Sequence, residues 1–295
     1  MTVGFVLPTL LGVVVIATMG RVEWHLRPAI AIPALTAMML LAASSVIVIV
    51  AATASAFVLG PVRSAAVTDW CRSIPLHHEV GPLVGVASVS LVVLGSARCA
   101  RIINARRRAV SAATSEGRVA VIDSNSKFAY AVPTKTGCVV VSTGLLAPLS
   151  PQERKAVFAH ERAHLRLGHH RYLMAAELSR AILPFLTPLL SQIQHATERA
   201  ADEAAVASLR GERKVVASAI ATSALGYRMT GALPSLGGGS PARRVEALLW
   251  PQREPTAGRF KSSAALTAGI SAALAVAVQL HHFSTLFEHL CRSTS

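Results

Sequence analysis

The chain contains four mainly apolar stretches that have no charged residues. They cover residues 3–19, 29–60, 81–97 and 262–280. A helix needs about 20 mostly apolar residues to cross the hydrocarbon core of a bilayer, so each stretch predicts a transmembrane helix. The second stretch is long for one span but short for two, which predicts one tilted or protruding helix. The pattern therefore predicts four spans.

The segment between the third and fourth stretches, residues 98–261, has the length and pattern of a folded domain. Three short strand-like runs, at 118–123, 127–133 and 138–146, predict strands that are separated by turns. The sequence SPQE at 150–153 then predicts the start of a helix, with an N-cap serine, a proline at the first helical position and a glutamate that completes a capping box. We therefore expect an α+β domain, mainly helical with a small β-sheet, inserted between transmembrane helices.

Charge predicts how these segments are oriented. The chain is 52% hydrophobic and 15% charged, with a net charge of +14 at pH 7. A soluble domain usually carries about 25% charged residues, so an ordinary cytosolic enzyme is disfavoured. The dense basic clusters follow the third stretch and precede the fourth, and the positive-inside rule then predicts a cytoplasmic 98–261 segment and an N-terminus outside. No basic helix interleaved with aromatic residues is visible, so we expect no nucleic-acid partner.

The predicted organisation has four parts. They are a membrane region with three spans, a cytoplasmic domain, a fourth span and a short extracytoplasmic tail, at residues 1–97, 98–261, 262–280 and 281–295. No predicted span contains an internal ionisable residue, which disfavours a transporter or a channel.

The main chemical motif lies on the helix that is predicted to begin at 150–153. Residues 160–164 read HERAH, which is an H-E-x-x-H motif. Histidines at this spacing project from one face of a helix, so His160 and His164 can reach a single zinc ion. Glu161 is then placed to take a proton from zinc-bound water, as in a metallopeptidase.

Zinc at a catalytic site needs a third protein ligand and keeps a fourth position open. His170 lies where a metzincin places its third histidine, but that arrangement needs a glycine three residues after His164, and Leu167 is there. Glu198 is the favoured alternative, and Asp202, one turn later, is placed to accept the outer N–H of a ligand histidine. The favoured set is one Zn²⁺ per chain held by His160, His164 and Glu198.

The second predicted strand has a candidate role in substrate binding. An extended peptide can add to an exposed strand edge. We expect this pairing at Phe128, Ala129, Tyr130 and Ala131. The alternative is that this strand belongs to an ordinary core sheet.

These motifs together resemble a known family. HERAH followed by E-x-x-A-D at 198–202 resembles the gluzincin-type membrane metallopeptidases, which include HtpX-type proteases and BlaR/MecR-type sensor-transducers. The two strand-like runs before the zinc helix are similar, and His169 matches a frequent H-E-x-x-H-x-x-x-x-H extension. SPARRVEALL at 240–249 is similar to their late P-x-x-R-V-x-x-L segment. The predicted spans fit the BlaR/MecR type better, although the tail at 281–295 is too short for a penicillin-binding sensor domain.

The resemblance implies a zincin-like fold and a zinc metalloendopeptidase in a bacterial cell membrane. Its partners would be the lipid bilayer and protein or peptide substrates, in regulatory or stress-linked proteolysis. The alternative is a catalytically weak signal-transducing module that binds a cytoplasmic regulator such as a repressor. The intact HERAH motif and Glu198 argue against this alternative, because a degenerate protease often loses its glutamate base first.

Overall fold

The structure, a computed structural model, describes four stretches of the chain, residues 27–59, 81–112, 118–225 and 240–250. Three predicted segments lie outside the described residues, namely the first span, the fourth span and the tail, at 3–19, 262–280 and 281–295. The other two predicted spans and most of the predicted domain are described.

Two long helices precede the domain, α1 (Pro28–Leu59) and α2 (Pro82–Ala112). Both are long and apolar enough to cross a membrane, and the second apolar stretch forms one continuous helix, as predicted. The helices run antiparallel, since Gly85 near the start of α2 lies against the ring of Phe57 near the end of α1. A methyl group on Gly85 would overlap that ring, so glycine permits the close approach.

The domain begins with a three-stranded sheet of β1 (Val119–Ile122), β2 (Ala129–Val132) and β3 (Cys138–Ser142). Strand β3 is central, parallel to β1 and antiparallel to β2. It is buried along its whole length, whereas β2 lies at one edge of this sheet and packs beside the helix that carries HERAH. The small predicted sheet is therefore confirmed.

The third predicted strand is shorter than expected. The sequence predicts it over 138–146, but the strand ends at Ser142 and the residues Thr143–Leu146 form one turn of helix, α3. The hydroxyl of Ser142 accepts a hydrogen bond from the N–H of Leu145 at 3.2 Å. Such a hydroxyl cap starts a helix directly after a strand, which the apolar pattern alone did not indicate.

Helices make up the rest of the described domain. They are α4 (Pro151–Arg166), α5 (His169–Ile182), α6 (Thr187–Ser208), α7 (Arg213–Ala224) and α8 (Pro241–Leu249), with a 3-10 turn at Pro184–Leu186. The predicted α+β class, mainly helical with a small sheet, is therefore observed.

Helix α4 begins with the predicted capping box. The Ser150 hydroxyl accepts a hydrogen bond from the Glu153 N–H at 3.3 Å, and the Glu153 carboxylate accepts one from the Ser150 N–H at 2.8 Å. These bonds satisfy backbone donors that the first turn of a helix leaves without partners. At the other end, Gly168 adopts a left-handed conformation with φ 65°, so that α5 begins almost directly after α4.

Two apolar clusters fix the positions of the helices. One joins the first half of α1 to α5 and α6 through residues such as Met39 and Ile193. The other joins α4, α6, α7 and α8 through residues such as Ala156, Ala205 and Val216. Burial of this surface holds α4 and α6, the helices with the predicted metal ligands, side by side.

Candidate metal centre

Two packed helices bring the predicted zinc ligands together. Helix α4 carries His160 and His164 on one face, and α6 carries Glu198. The Nε2 atoms of the two histidines lie 3.1 Å apart. Glu198 places Oε2 at 3.4 Å from Nε2 of His160, and Oε1 at 3.6 Å from Nε2 of His164. Residues that are distant in sequence thus form one cluster.

The spacing of this cluster fits a four-coordinate zinc ion. With tetrahedral bonds of about 2.0–2.1 Å, two ligand atoms lie about 3.3–3.5 Å apart. The two Nε2 atoms lie 3.1 Å apart, and they lie 3.4 and 3.6 Å from the two different oxygens of Glu198, so these separations are close to that spacing. Two imidazoles and one carboxylate also match a known catalytic zinc donor set that keeps a position open. Within the described residues, His160, His164 and Glu198 are the group that could hold a metal ion.

The alternative third ligand, His170, is not part of this cluster. It lies in the first turn of α5, and its Nδ1 atom is buried without a hydrogen-bond partner. The structure places the Glu198 carboxylate, rather than this imidazole, beside the two histidines of HERAH.

Asp202 contacts the first histidine of HERAH. Its Oδ1 lies 2.9 Å from Nδ1 of His160, and the carboxylate is 3% exposed. An Nδ1–H that donates to Asp202 leaves the Nε2 lone pair free to face the cluster. The carboxylate therefore selects the tautomer of His160 that can bind a metal.

His169 plays the corresponding part for the second histidine. Its Nδ1 lies 3.0 Å from Nδ1 of His164, and the residue is buried at 2% exposure. When Nε2 of His164 faces the cluster, its Nδ1–H donates to the Nδ1 lone pair of His169. Both histidines of HERAH are thus oriented through the ring nitrogen that faces away from the cluster.

Arg244, on α8, is a further member of the site that the sequence did not single out. One guanidinium nitrogen lies 2.8 Å from Oε2 of Glu198, and two others donate to the Asp202 carboxylate at 2.6 and 2.9 Å. The side chain is 12% exposed. Paired, planar contacts of this kind fix the orientation of both carboxylates.

The two carboxylates are held in their ionised forms. Burial raises the pKa of Glu198, but its hydrogen bond to His160 and the charges of His160 and Arg244 lower it to about 2. Burial also raises the pKa of Asp202, and hydrogen bonds to the same two residues outweigh that effect and lower it. Glu198 therefore offers an anionic oxygen, the form that binds zinc.

The two histidines of HERAH differ in charge. Burial lowers the pKa of His160, but its hydrogen bonds to Asp202 and Glu198 raise it to about 10. For His164, burial and the charge of His160 lower the pKa to about 3, so this imidazole is neutral at pH 7. His164 is thus ready to bind a metal ion, whereas His160 has to release its Nε2 proton when it binds one.

The predicted substrate strand divides into two kinds of residue. Phe128 precedes β2, and its C=O accepts a hydrogen bond from the N–H of Ser142 at 3.0 Å. Because backbone groups alternate along a strand, Tyr130 also directs its N–H and C=O toward β3. The rings of Phe128 and Tyr130 lie 5.9 Å apart and pack on an apolar cluster of the sheet. These two residues contribute to the core sheet.

Ala129 and Ala131 occupy the outer edge of β2 in the described sheet. Their backbone groups point away from β3. The N–H of Ala131 donates a hydrogen bond to the carboxylate of Glu161 on α4. The outer edge of β2 therefore runs beside the HERAH motif.

Comparison with protein families gives one match. The model of peptidase family M48 matches residues 96–248, which is more than half of the chain. The chain belongs to peptidase family M48. M48 peptidases are zinc metalloproteases, hydrolases that act on peptide bonds, and this chain is an enzyme of that class. Comparisons with curated proteins and with solved structures give no match.

The M48 match includes the whole site. It runs from the middle of α2 into α8, and so spans HERAH, Glu198, Asp202 and Arg244. It does not distinguish the HtpX type from the BlaR/MecR type, so that finer resemblance stays a prediction. The zinc dependence of the family agrees with the donor set and spacing of the cluster.

The sequence contained a signal that points to Arg244. It is the arginine of the P-x-x-R-V-x-x-L pattern in the segment 240–249. Glu198 and Asp202 lie one turn apart on the same helix, so their paired negative charges require a nearby cation when buried. The sequence therefore indicates that a cation is needed, but it does not show which segment docks on this helix to supply it.

Replacing Arg244 with glutamine is expected to destabilise the zinc-free M48 peptidase. Removing one partner of a buried ion pair costs about 3–5 kcal/mol, because the other charge stays buried. At about 2–4 °C per kcal/mol for a domain of this size, the midpoint of thermal unfolding falls by roughly 6–20 °C. The measurement is thermal unfolding in detergent with a chelator present.

Arg243 provides the control for this variant. It is the neighbouring residue on α8 and is exposed, so Arg243→Gln is expected to leave the midpoint almost unchanged. Equal midpoints for the two variants would show that the contacts of Arg244 add nothing to stability.

Proposed function

We propose that this M48 peptidase is embedded in a membrane and cleaves protein substrates with a catalytic domain on the cytoplasmic side. One observation carries the catalytic part of the proposal. His160, His164 and Glu198 lie at distances that suit zinc, inside the segment that matches the peptidase family. The catalytic domain comprises the sheet and helices α4 to α8.

Glu161 is the general base of the proposed reaction. It lies between the two histidines in sequence, and the N–H of Ala131 holds its carboxylate. Burial raises the pKa of this carboxyl group, and the net shift is upward although the charges of His160 and Arg244 oppose it. A carboxylate of raised pKa is better suited to hold a proton between two steps.

The chemistry follows from these positions. A zinc ion held by His160, His164 and Glu198 would lower the pKa of water to about 7 and would polarise the carbonyl of the bond to be cleaved. Glu161 takes the proton of the attacking water and then delivers it to the nitrogen of the leaving amine. Asp202 and His169 keep the imidazoles in the tautomers that this reaction requires.

The outer edge of β2 supports a mode of substrate binding. The backbone of Ala129 points outward there, next to Ala131 and therefore next to Glu161. An extended peptide that adds to this edge would place its backbone beside the metal ligands. We propose the backbone of Ala129 and the C=O of Ala131, rather than the core residues Phe128 and Tyr130, as the pairing positions, since the N–H of Ala131 is bound to Glu161.

Exposed apolar side chains support membrane embedding. On α2, Leu83, Leu91 and Val93 are 84%, 59% and 60% exposed, and only 11% of the apolar stretch is buried. A core helix of a soluble protein would bury most of such a stretch, since exposed apolar surface costs about 25 cal/mol per Å² in water. Helix α1 is 39% buried because its first half packs on α5 and α6.

The arginines at the end of α2 support the orientation. Arg98, Arg101 and Arg106 follow the apolar part of the helix and lie on the side of the catalytic domain. Arginines that flank spans lie mostly in the cytoplasm. The biological role that we propose, regulatory proteolysis as in the BlaR/MecR type, rests on resemblance alone. The described residues and the comparisons do not support the alternative of a weak transducing module.

Removal of zinc tests the proposed activity. Casein cleavage by the detergent-solubilised chain is expected to stop after treatment with a chelator. It should return when about one equivalent of Zn²⁺ is added, because the three ligands form a single site. The readout is the set of new peptide ends determined by mass spectrometry. Cleavage that persists after complete removal of metal would contradict the proposal.

A further inference from the structure

Helices α2 and α5 form an open groove outside the metal centre. Its volume is about 410 Å³, and it is lined by Arg98, Arg101, Ile102, Arg180, Ala181 and Pro184. The lining therefore combines three arginine side chains with three apolar residues.

The three arginines of this groove have no ion-pair partner among the residues that the structure describes. The lining contains no acidic residue, and in the part of the chain that the structure describes none of the three arginines forms an ion pair. Glu177 on α5 already binds Arg106 through both carboxylate oxygens at 2.9 Å. Three arginines around one groove attract an anion that has several acceptor oxygens, such as a phosphate.

The groove lies where the apolar surface of α2 ends. Leu94 is 53% exposed, and Arg98 follows it by one helical turn. Because Gly85 packs on Phe57 and both helices rise about 1.5 Å per residue, Arg98 lies at about the level of Ser44 on α1. The part of α1 that packs on the catalytic domain ends at this same level.

We propose that this groove binds the phosphate headgroup of an anionic phospholipid. The proposal rests on the membrane embedding proposed above, which puts the groove at the depth of the headgroups. The phosphate oxygens accept hydrogen bonds from Arg98, Arg101 and Arg180, while Ile102, Ala181 and Pro184 contact the glycerol and the first methylene groups. A lipid bound there bridges α2 and α5, and so connects the membrane helix to the helix that follows the HERAH motif.

The test uses the full chain in detergent after removal of bound lipid. Phosphatidylglycerol and phosphatidylcholine are titrated in turn, and the lipid bound per chain is counted by native mass spectrometry. The groove variant replaces Arg98, Arg101 and Arg180 with glutamine. The control variant makes the same change at Arg107, Arg108 and Arg118, which are exposed and outside the groove lining.

We expect phosphatidylglycerol to bind the native chain in preference to phosphatidylcholine, and to bind the groove variant at least about tenfold more weakly. The control variant should bind it like the native chain. If both variants bind phosphatidylglycerol equally weakly, net charge alone explains the effect and the proposal is overturned. Unchanged binding in the groove variant would overturn it as well.

A competition experiment with inorganic phosphate separates a lipid site from a site for a soluble anion. If it displaces the lipid at an equal concentration, the groove is a site for a soluble anion and the lipid assignment is wrong. Casein cleavage is measured on the same samples, because the groove residues do not contact the metal centre. If the native chain shows no preference for phosphatidylglycerol while its zinc-dependent cleavage is intact, the lipid site is rejected and the proposed peptidase function stands.

Discussion

Replacing Glu161 with glutamine is expected to abolish peptide-bond cleavage and to leave one zinc ion bound per chain. Glutamine has nearly the same shape as glutamate, so the ligands His160, His164 and Glu198 keep their positions. It cannot accept the proton of the attacking water. General-base catalysis contributes about 10²- to 10⁴-fold, so we expect kcat/KM to fall by at least about 100-fold.

The measurement combines casein cleavage with metal analysis of the same preparation. Glu203→Gln is the matched control, because Glu203 is exposed on α6 and pairs with Arg213 outside the cluster. The control should cleave like the native chain. Equal cleavage by Glu161→Gln and the native chain would reject Glu161 as the base and would indicate a contaminating protease.

Features that depend on local spacing were predictable from the sequence. The capping box of Ser150 and Glu153 sets the start of α4, and the four-residue spacing of His160 and His164 puts both imidazoles on one face. The same geometry relates Glu198 to Asp202 on α6. Helix periodicity converts these spacings into positions, so the arrangement within each helix follows before the fold is known.

Features that depend on tertiary contacts were not predictable in the same way. Arg244 reaches Glu198 and Asp202 only because α8 docks on the cluster that joins α4, α6 and α7. Local spacing contains no information about that docking. His169 was matched to a family pattern, but its contact with His164 depends on the left-handed turn at Gly168.

The substrate strand shows which property of a strand the sequence alone did not predict. The sequence indicated the run from Phe128 to Ala131, but not which of its backbone groups face the neighbouring strand. That depends on the pairing register, and a shift of one residue would exchange the two sets. The observed pairing assigns Tyr130 to β3 and leaves Ala129 and Ala131 at the outer edge.

The apolar packing links the metal centre to the candidate membrane helices. Glu198 lies on the helix whose earlier turns, at Leu189 and Ile193, belong to the same apolar cluster as Met39 of α1. The histidines lie on α4, which contacts the same helix. One ligand is therefore carried by an element that α1 supports, so the position of the zinc site relative to α1 is fixed by the core.

Replacing Glu198 with glutamine is expected to remove zinc and activity together. The amide is uncharged and a poor zinc ligand, and it no longer pairs with Arg244. Losing a hydrogen-bond partner of a ligand already costs about 10- to 100-fold in metal affinity, so losing a ligand should cost at least about 100-fold. The measurement is zinc affinity by competition with a coloured chelator, together with casein cleavage.

His170→Ala is the control that separates the two ligand sets considered from the sequence. Because His170 lies outside the cluster, this variant should keep its zinc affinity and cleave casein. The opposite result, loss of zinc in His170→Ala and retention in Glu198→Gln, would make the site a three-histidine centre and contradict the placement of Glu198. Thermal unfolding of both variants without metal shows whether each still folds, so loss of zinc through unfolding is distinguished from loss of a ligand. The spacing of 3.4 and 3.6 Å between the Glu198 oxygens and the two imidazoles is the reason to expect the first outcome.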